Sequence, residues 1–355
     1  MGLRITAHHM GGSSSALRLA IEGGARVVKL VHAFGEAQLY KAARPNIIVI
    51  GRAFVEFDAG ASADPEADAR ANFAAMLPHI LGNPLIDYWE SSNEPGGQTQ
   101  SEVNNLARYC AEFMRECERV GKRAVIANFS TGTPQPELWP LMGPTLEQAA
   151  RGGHLLGLHE YIGPPTSDTW HQFRYRRLLQ WAARTGTNVP DIVITECGLD
   201  NIDGRGPWRN WLGSGPEAAQ QYVEELVRYE LGLRQDPEVI GACLFTSGTL
   251  GADAWQPYNV DGSDVVDRLL AWHRANSETP PIPPPVTPPP LSLVDRSVRV
   301  RVAGLNLRPG PAATGAPLTV LLPGTTVVVR EQVGVWGRVT RDGWINCLPA
   351  YVELV

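Results

Sequence analysis

The stretch YWESSNEPGG (88–97) carries two acids, Glu90 and Glu94, in a run that opens like a strand. Residues two apart on an extended chain share a face, so the spacing predicts Glu90, Ser92 and Glu94 on one side. A third carboxylate, Glu196, closes the apolar run IVIT (192–195). Two carboxylates that meet across a site can attack one bond from two sides. Glycosidic cleavage needs such a pair: one carboxyl protonates the leaving oxygen. In retaining reactions the other, about 5–5.5 Å away, forms a covalent intermediate. Acids that close push their pKa values apart. Other chemistries lack their residues, for the chain has no HExxH, CxxC or GxxxxGK[ST]. His8 and His9 are adjacent and lack the His-x-His spacing of a metal-dependent barrel hydrolase. No metal and no organic cofactor is expected.

The elements that must position these acids alternate regularly. Short β-branched runs begin at RITAHHM (4–10), RVVKLVH (26–32), NIIVIGRAFV (46–55) and LIDYWESSNEP (85–95). AVIANFS (124–130), LLGLHEYIG (155–163), DIVITECGLD (191–200) and VIGACLFTSG (239–248) follow. Between most of them lie helix-period segments such as SEVNNLARYCAEFMRECERVGKR and PEAAQQYVEELVRYELGLR. Eight strands alternating with helices predict an α/β fold, a (β/α)₈ TIM barrel over residues 1–278. An open doubly wound sheet is the rival, but no Gly-rich phosphate loop follows the first strand. In a barrel of this kind functional side chains sit at the C-terminal strand ends. Those ends hold His8 and His9, His32, Arg52 with Glu56 and Asp58, Asn93 and Glu94, and Asn128. The last three hold His159 and Tyr161, Glu196, and Thr246 with Ser247. Glu56 and Asp58 are rival carboxylates that lack the facing geometry. Glu90 is expected one layer deeper, as a structural acid paired with Lys29 and Arg52, because a buried carboxylate needs a partner.

TPPIPPPVTPPP (279–290) marks a linker, taken as 279–292, since Pro-rich chain forms an extended spacer. Residues 293–355 read as short strands and turns with no helix-period stretch, hence a small all-β barrel. From residue 295 this tail carries a net +3, which leaves −9 for the rest of a chain whose total is −6. That charge argues against nucleic acid or an anionic membrane as the main partner. No apolar run reaches the roughly 18 residues of a membrane helix. The opening MGLRITAHHM lacks the basic and apolar regions of a signal peptide. Five cysteines are odd in number, and Cys110 and Cys117 stand about 10.5 Å apart along a helix, too far to bridge. Reduced structural thiols are expected.

SSNEP at the end of strand four, HEY on strand six and VITECG on strand seven resemble the clan A glycoside hydrolases, (β/α)₈ enzymes with glutamates on strands four and seven. The resemblance covers the body through its strand order, while its specific motifs span about a dozen residues. It implies Glu94 as general acid/base and Glu196 as nucleophile of a retaining mechanism. It also implies that Tyr161 hydrogen-bonds the nucleophile, that Asn93 meets the sugar 2-hydroxyl, and that His159 lies near the pair. ACLFTSG departs from the pattern, having Phe245 and Thr246 where many members carry tryptophan. Trp255 is expected to reach back in its place. Trp255 and Trp208 are expected to bind sugar, with Trp170, Trp211 and Tyr258 as further loop aromatics. In the tail, LNLRPGPAATG, VWGRV, DGWI and AYVEL look like a bacterial SH3-type domain. Such domains commonly accompany cell-wall-directed hydrolases, which implies a targeting module and a secreted or cell-envelope location. The expected partner is a β-linked oligo- or polysaccharide. The alternatives are a peptidoglycan-lytic glycosidase and a carbohydrate-binding barrel without turnover.

Overall fold

The computed structural model describes residues 2–54, 58–162, 171–200 and 206–276 of the body. In the tail it describes 292–308, 317–333, 336–340, 343–347 and 351–355. The Pro-rich stretch 279–290, Glu56 and Trp170 lie outside these residues. The chain divides into two compact units, Met1–Pro280 and Pro281–Val355.

In the first unit eight parallel strands close into a barrel in sequence order. They are β1 (Ile5–His9), β2 (Val27–Val31), β3 (Ile48–Arg52), β4 (Tyr88–Glu90), β5 (Arg123–Phe129), β6 (Leu155–Ile162), β7 (Ile192–Leu199) and β8 (Val239–Ser247). Helices flank them: α1 (Ser14–Glu22), α2 (Ala37–Ala43), α3 (Pro65–Gly82), α4 (Gln100–Arg119) and α5 (Trp139–Gly152). α6 (Tyr175–Thr185), the short α7 (Trp208–Leu212), α8 (Pro216–Leu233) and α9 (Val265–Asn276) complete the set. Strand alternation sorts the core into two shells. Val27, Ile50, Tyr88, Val125, Leu155, Val193, Ile240 and Cys243 fill the barrel interior from below. Val28, Val49, Trp89, Ile126, Leu156 and Ile194 face the helices. Tertiary burial of this kind, rather than propensity, stabilises such helices. No helix among the described residues is long and apolar enough to cross a membrane.

Two departures from the sequence reading matter for the site. β4 ends at Glu90, so the even spacing does not carry Glu94 inward as a strand residue. Glu94 instead follows a short loop and has φ +46°. The fifth strand holds that loop. The Ser91 N–H donates to the Val125 carbonyl (3.0 Å) and the Glu94 N–H to the Asn128 carbonyl (3.1 Å). On β7, strict alternation from Val193 would turn Glu196 toward the helices. Irregular register against β6 and β8 interrupts it there, as a bulge does, and Thr195 and Glu196 both make interior contacts.

The second unit is antiparallel β structure. β9 (Ser292–Val300), β12 (Thr326–Val333), β13 (Trp336–Thr340), β14 (Gly343–Asn346) and β15 (Val352–Leu354) form one sheet in the order β14-β13-β12-β9-β15. β10 (Leu305–Leu307) and β11 (Thr319–Leu321) form a separate pair. Val298, Val300, Leu305, Leu307, Val329, Ile345 and Val352 build its core. Arg338 donates from two nitrogens to the Glu331 carboxylate (2.9 and 2.7 Å), so this buried pair is hydrogen-bonded as well as charged. All five cysteines are free.

Candidate active site

At the C-terminal end of the barrel the interior stops being apolar. β1 contributes His8, β2 Lys29, β3 Arg52 and β4 Glu90, all on the inward register of their strands. Lys29 Nζ lies 2.9 Å from Glu90 Oε1, and Arg52 Nε lies 3.9 Å from Glu90 Oε2. The expected structural pairing of Glu90 is therefore present. Both cations also reach past Glu90 to Glu196. Arg52 Nη1 donates to Glu196 Oε1 at 2.9 Å and Lys29 Nζ to the same oxygen at 3.3 Å. The other oxygen, Oε2, accepts the Tyr161 hydroxyl at 2.8 Å.

Burial by itself would raise the Glu196 pKa. The groups around it, His159, Lys29, His8 and Arg52, outweigh that and hold its carboxyl well below the usual range. Of these, His8 is neutral, because burial and Lys29 push its imidazole well below its ordinary value. Beside His159, the cations that hold Glu196 ionised are thus Lys29 and Arg52. Burial, with Glu196 beside it, raises the Tyr161 phenol well above its ordinary value, so Tyr161 stays a donor.

His159 joins the two candidate acids. Its Nδ1 lies 2.9 Å from Glu94 Oε1 and 3.6 Å from Glu196 Oε2. The Glu94 side chain is 44% exposed while that of Glu196 is 8% exposed, so one acid faces solvent and the other sits beneath it. Asn93 Oδ1 is buried with no hydrogen-bond partner among the described residues. The structure therefore brings Glu94, His159, Tyr161 and Glu196 together, with Asn93 preceding Glu94 on its loop.

The aromatic expectations divide. Trp255 is half-buried and its ring meets Phe245 edge-on at 5.2 Å, so it does return to the end of β8. Phe245, Tyr161 and Met10 share a small apolar cluster against which Trp255 and Tyr258 pack. Trp208 is a correction. It is fully buried, its ring packs on Tyr222 at 5.0 Å, and its indole N–H donates to the Tyr258 carbonyl. It is a wall residue with no face left for a sugar. Trp211 likewise packs against the main core.

Sequence reasoning missed Phe54 here, and it named Asn128 and Asp58 at the strand ends without the roles the structure gives them. Phe54, just beyond β3, is exposed, stacks on His32 at 4.9 Å and lies under the Arg52 guanidinium at 5.1 Å. Its place two residues past the strand-end Arg52 was the available signal. Asn128 is fully buried and links the two acidic strands: its Nδ2 donates to the Ser92 carbonyl and its Oδ1 accepts the Thr195 hydroxyl. A Cβ on Gly157 would stand 1.9 Å from Asn128 Oδ1, so only glycine leaves room for that side chain. Asp58 proves to be an anchor. Its Oδ1 accepts the N–H groups of Gly60, Ala61 and Gly96, the last of these on the Glu94 loop. Among the described residues no group of three or more His, Cys, Asp or Glu side chains is placed to hold a metal ion.

No family model and no curated protein matches the sequence. Among solved structures, a beta-glucuronidase of Bifidobacterium dentium complexed with coumarin-3-O-glucuronide matches with TM-score 0.51 and 12% identity, covering 79% of this chain and 47% of that one. A beta-glucuronidase of an uncultured Clostridium sp. gives 0.48 and 12%, over 77% of this chain and 50% of that one. An endo-beta-mannanase/endo-beta-glucanase of Prevotella bryantii gives 0.45 and 14%, over 76% and 47%. The chain spans about half the length of these proteins. The first likeness shows a shared fold.

Proposed function

We propose that the barrel is a retaining glycoside hydrolase of the clan A type, acting on a β-linked oligo- or polysaccharide. The observation that carries this reading is the His159 imidazole set between Glu94 and Glu196. Its two contacts laid end to end place those carboxylate oxygens no more than about 6.5 Å apart, at the short edge of the spacing of inverting pairs and compatible with retaining ones. The same pairing suits a deep, ionised nucleophile and a solvent-reaching acid.

In this mechanism Glu196 attacks the anomeric carbon while Glu94 protonates the departing oxygen, giving a covalent glycosyl-enzyme. Glu94 then takes a proton from water, which attacks the same carbon and frees Glu196. Tyr161 and Arg52 orient the nucleophile, and the unpartnered Asn93 Oδ1 suits a sugar 2-hydroxyl. Trp255 and Phe54 supply apolar faces at the rim. The antiparallel tail, read as SH3-like, favours an envelope glycan as the substrate and a secreted or cell-surface setting.

Glu196→Ala assayed on a panel of activated aryl glycosides tests the mechanism. Turnover is expected to fall at least about 10³-fold, and azide to restore it with an inverted glycosyl azide as product. Unchanged turnover overturns the assignment. A native protein that binds glycans but turns over none of the panel replaces it with the binding-barrel reading.

A further inference from the structure

Lys29 is fully buried, yet it belongs to two acids at once. Its ammonium is 2.9 Å from Glu90 Oε1 but makes no hydrogen bond there: neither Glu90 oxygen has a hydrogen-bond partner among the described residues. The hydrogen bond goes to Glu196 Oε1. The contact with Glu90 balances charge, and the contact with Glu196 has direction. Arg52, the other cation on that oxygen, differs in setting. Its side chain is 14% exposed and its guanidinium also faces the exposed Phe54 ring, so solvent and ligand can reach it. Lys29 at 0% exposure is beyond the reach of either.

We propose that Lys29 is a positioning residue for Glu196: it fixes and charges the carboxylate from below, and Glu90 is the counter-charge that lets an ammonium stay buried there. The inference rests on the reading of Glu196 as a nucleophile for its catalytic meaning, while the contact itself stands on geometry. An attacking carboxylate must remain ionised in an apolar barrel when bound sugar displaces water from the mouth. Desolvation then strengthens a buried cation and weakens its competitors' screening. Charged and titratable groups face Glu196 from several elements, among them Tyr258 of the connection after β8, whose phenol burial holds above its ordinary value. β1 presents neutral His8, β2 Lys29, β3 Arg52 and β4 Glu90. The following loop brings Glu94, and β6 brings His159 and Tyr161. β8 adds Cys243, whose thiol burial pushes up to about 12, so it contributes no charge.

The test removes the pair together, because Lys29→Met alone strands a buried carboxylate. In Lys29→Met/Glu90→Gln both charges leave, a replacement buried pairs often tolerate. Glu196 is followed by the ¹³C shift of its carboxyl carbon in glutamate-labelled protein, assigned from Glu196→Gln. Its titration is expected to rise by about one pH unit or more, and the acid limb of kcat/KM to move up with it. A pair that only stabilises the barrel leaves the titration where it was, and that result overturns the proposal. The titration needs no substrate, so it decides the role of Lys29 even if no glycoside is turned over and the proposed function fails. Should the double variant not fold, the ¹⁵N signal of the Lys29 ammonium in native protein is compared with that in Glu196→Gln. A shifted, exchange-labile signal in the variant supports the contact, and an unchanged one overturns it.

Discussion

The Tyr161 hydroxyl makes a charge-assisted bond to Glu196 Oε2, and such bonds are worth about 1.5–3 kcal/mol. Tyr161→Phe removes it without changing the ring, which rests against Phe245. The expected result is a fall of about ten- to a hundredfold in kcat/KM, with the acid limb moved upward because the ionised carboxylate has lost a donor. Steady-state kinetics across pH check both. At this scale much was legible. Glu196, Tyr161 and His159 were picked out by type and strand position, and Lys29 and Arg52 were named as partners for Glu90. What the residues could not reveal is that both cations serve Glu196 as well. Trp208 went the other way: an aromatic in a connection looks alike whether it faces sugar or Tyr222.

Strand and loop geometry decide how the acids meet. β6 turns His159 and Tyr161 inward and Glu160, between them, outward. There Glu160 accepts the N–H groups of Phe173 and Arg174 and the Tyr229 hydroxyl, so it anchors the entry to α6. Burial outweighs these donors and raises its pKa from 4.5 to about 7. A carboxyl raised in this way gains a proton on folding between those values. Its contribution to stability is therefore full below pH 4.5 and is lost as pH rises through about 7, on the order of 3 kcal/mol in all. Urea unfolding from pH 5 to 8 is expected to show that decline in the native protein and a flatter profile in Glu160→Gln. The eight alternating strands were readable because side-chain direction repeats every two residues. The β7 irregularity and the early end of β4 were not, since both depend on how neighbouring strands register. Asn128 shows why: its hydrogen bonds to the Ser92 carbonyl and Thr195 join segments far apart in sequence.

The two units each hold their own hydrophobic core. If the tail serves targeting, removing residues 281–355 should leave the hydrolysis of small soluble glycosides unchanged and abolish retention on insoluble envelope glycan. Pull-down on cell-wall material beside a soluble-substrate assay measures both; equal retention with and without the tail would reduce it to an appendage. At this scale the sequence by itself determined the α/β alternation, the Pro-rich break before an all-β tail, and the strands that carry acids. These follow from local periodicity and composition, which each segment holds independently of the others. Tertiary structure alone decided that Glu94 arrives on a loop tied to Asn128, that Trp208 is wall, and that Lys29 is shared between Glu90 and Glu196. Each of those depends on barrel closure, which brings strands two, four and seven to one point and leaves a buried charge no partner but the acids it finds there.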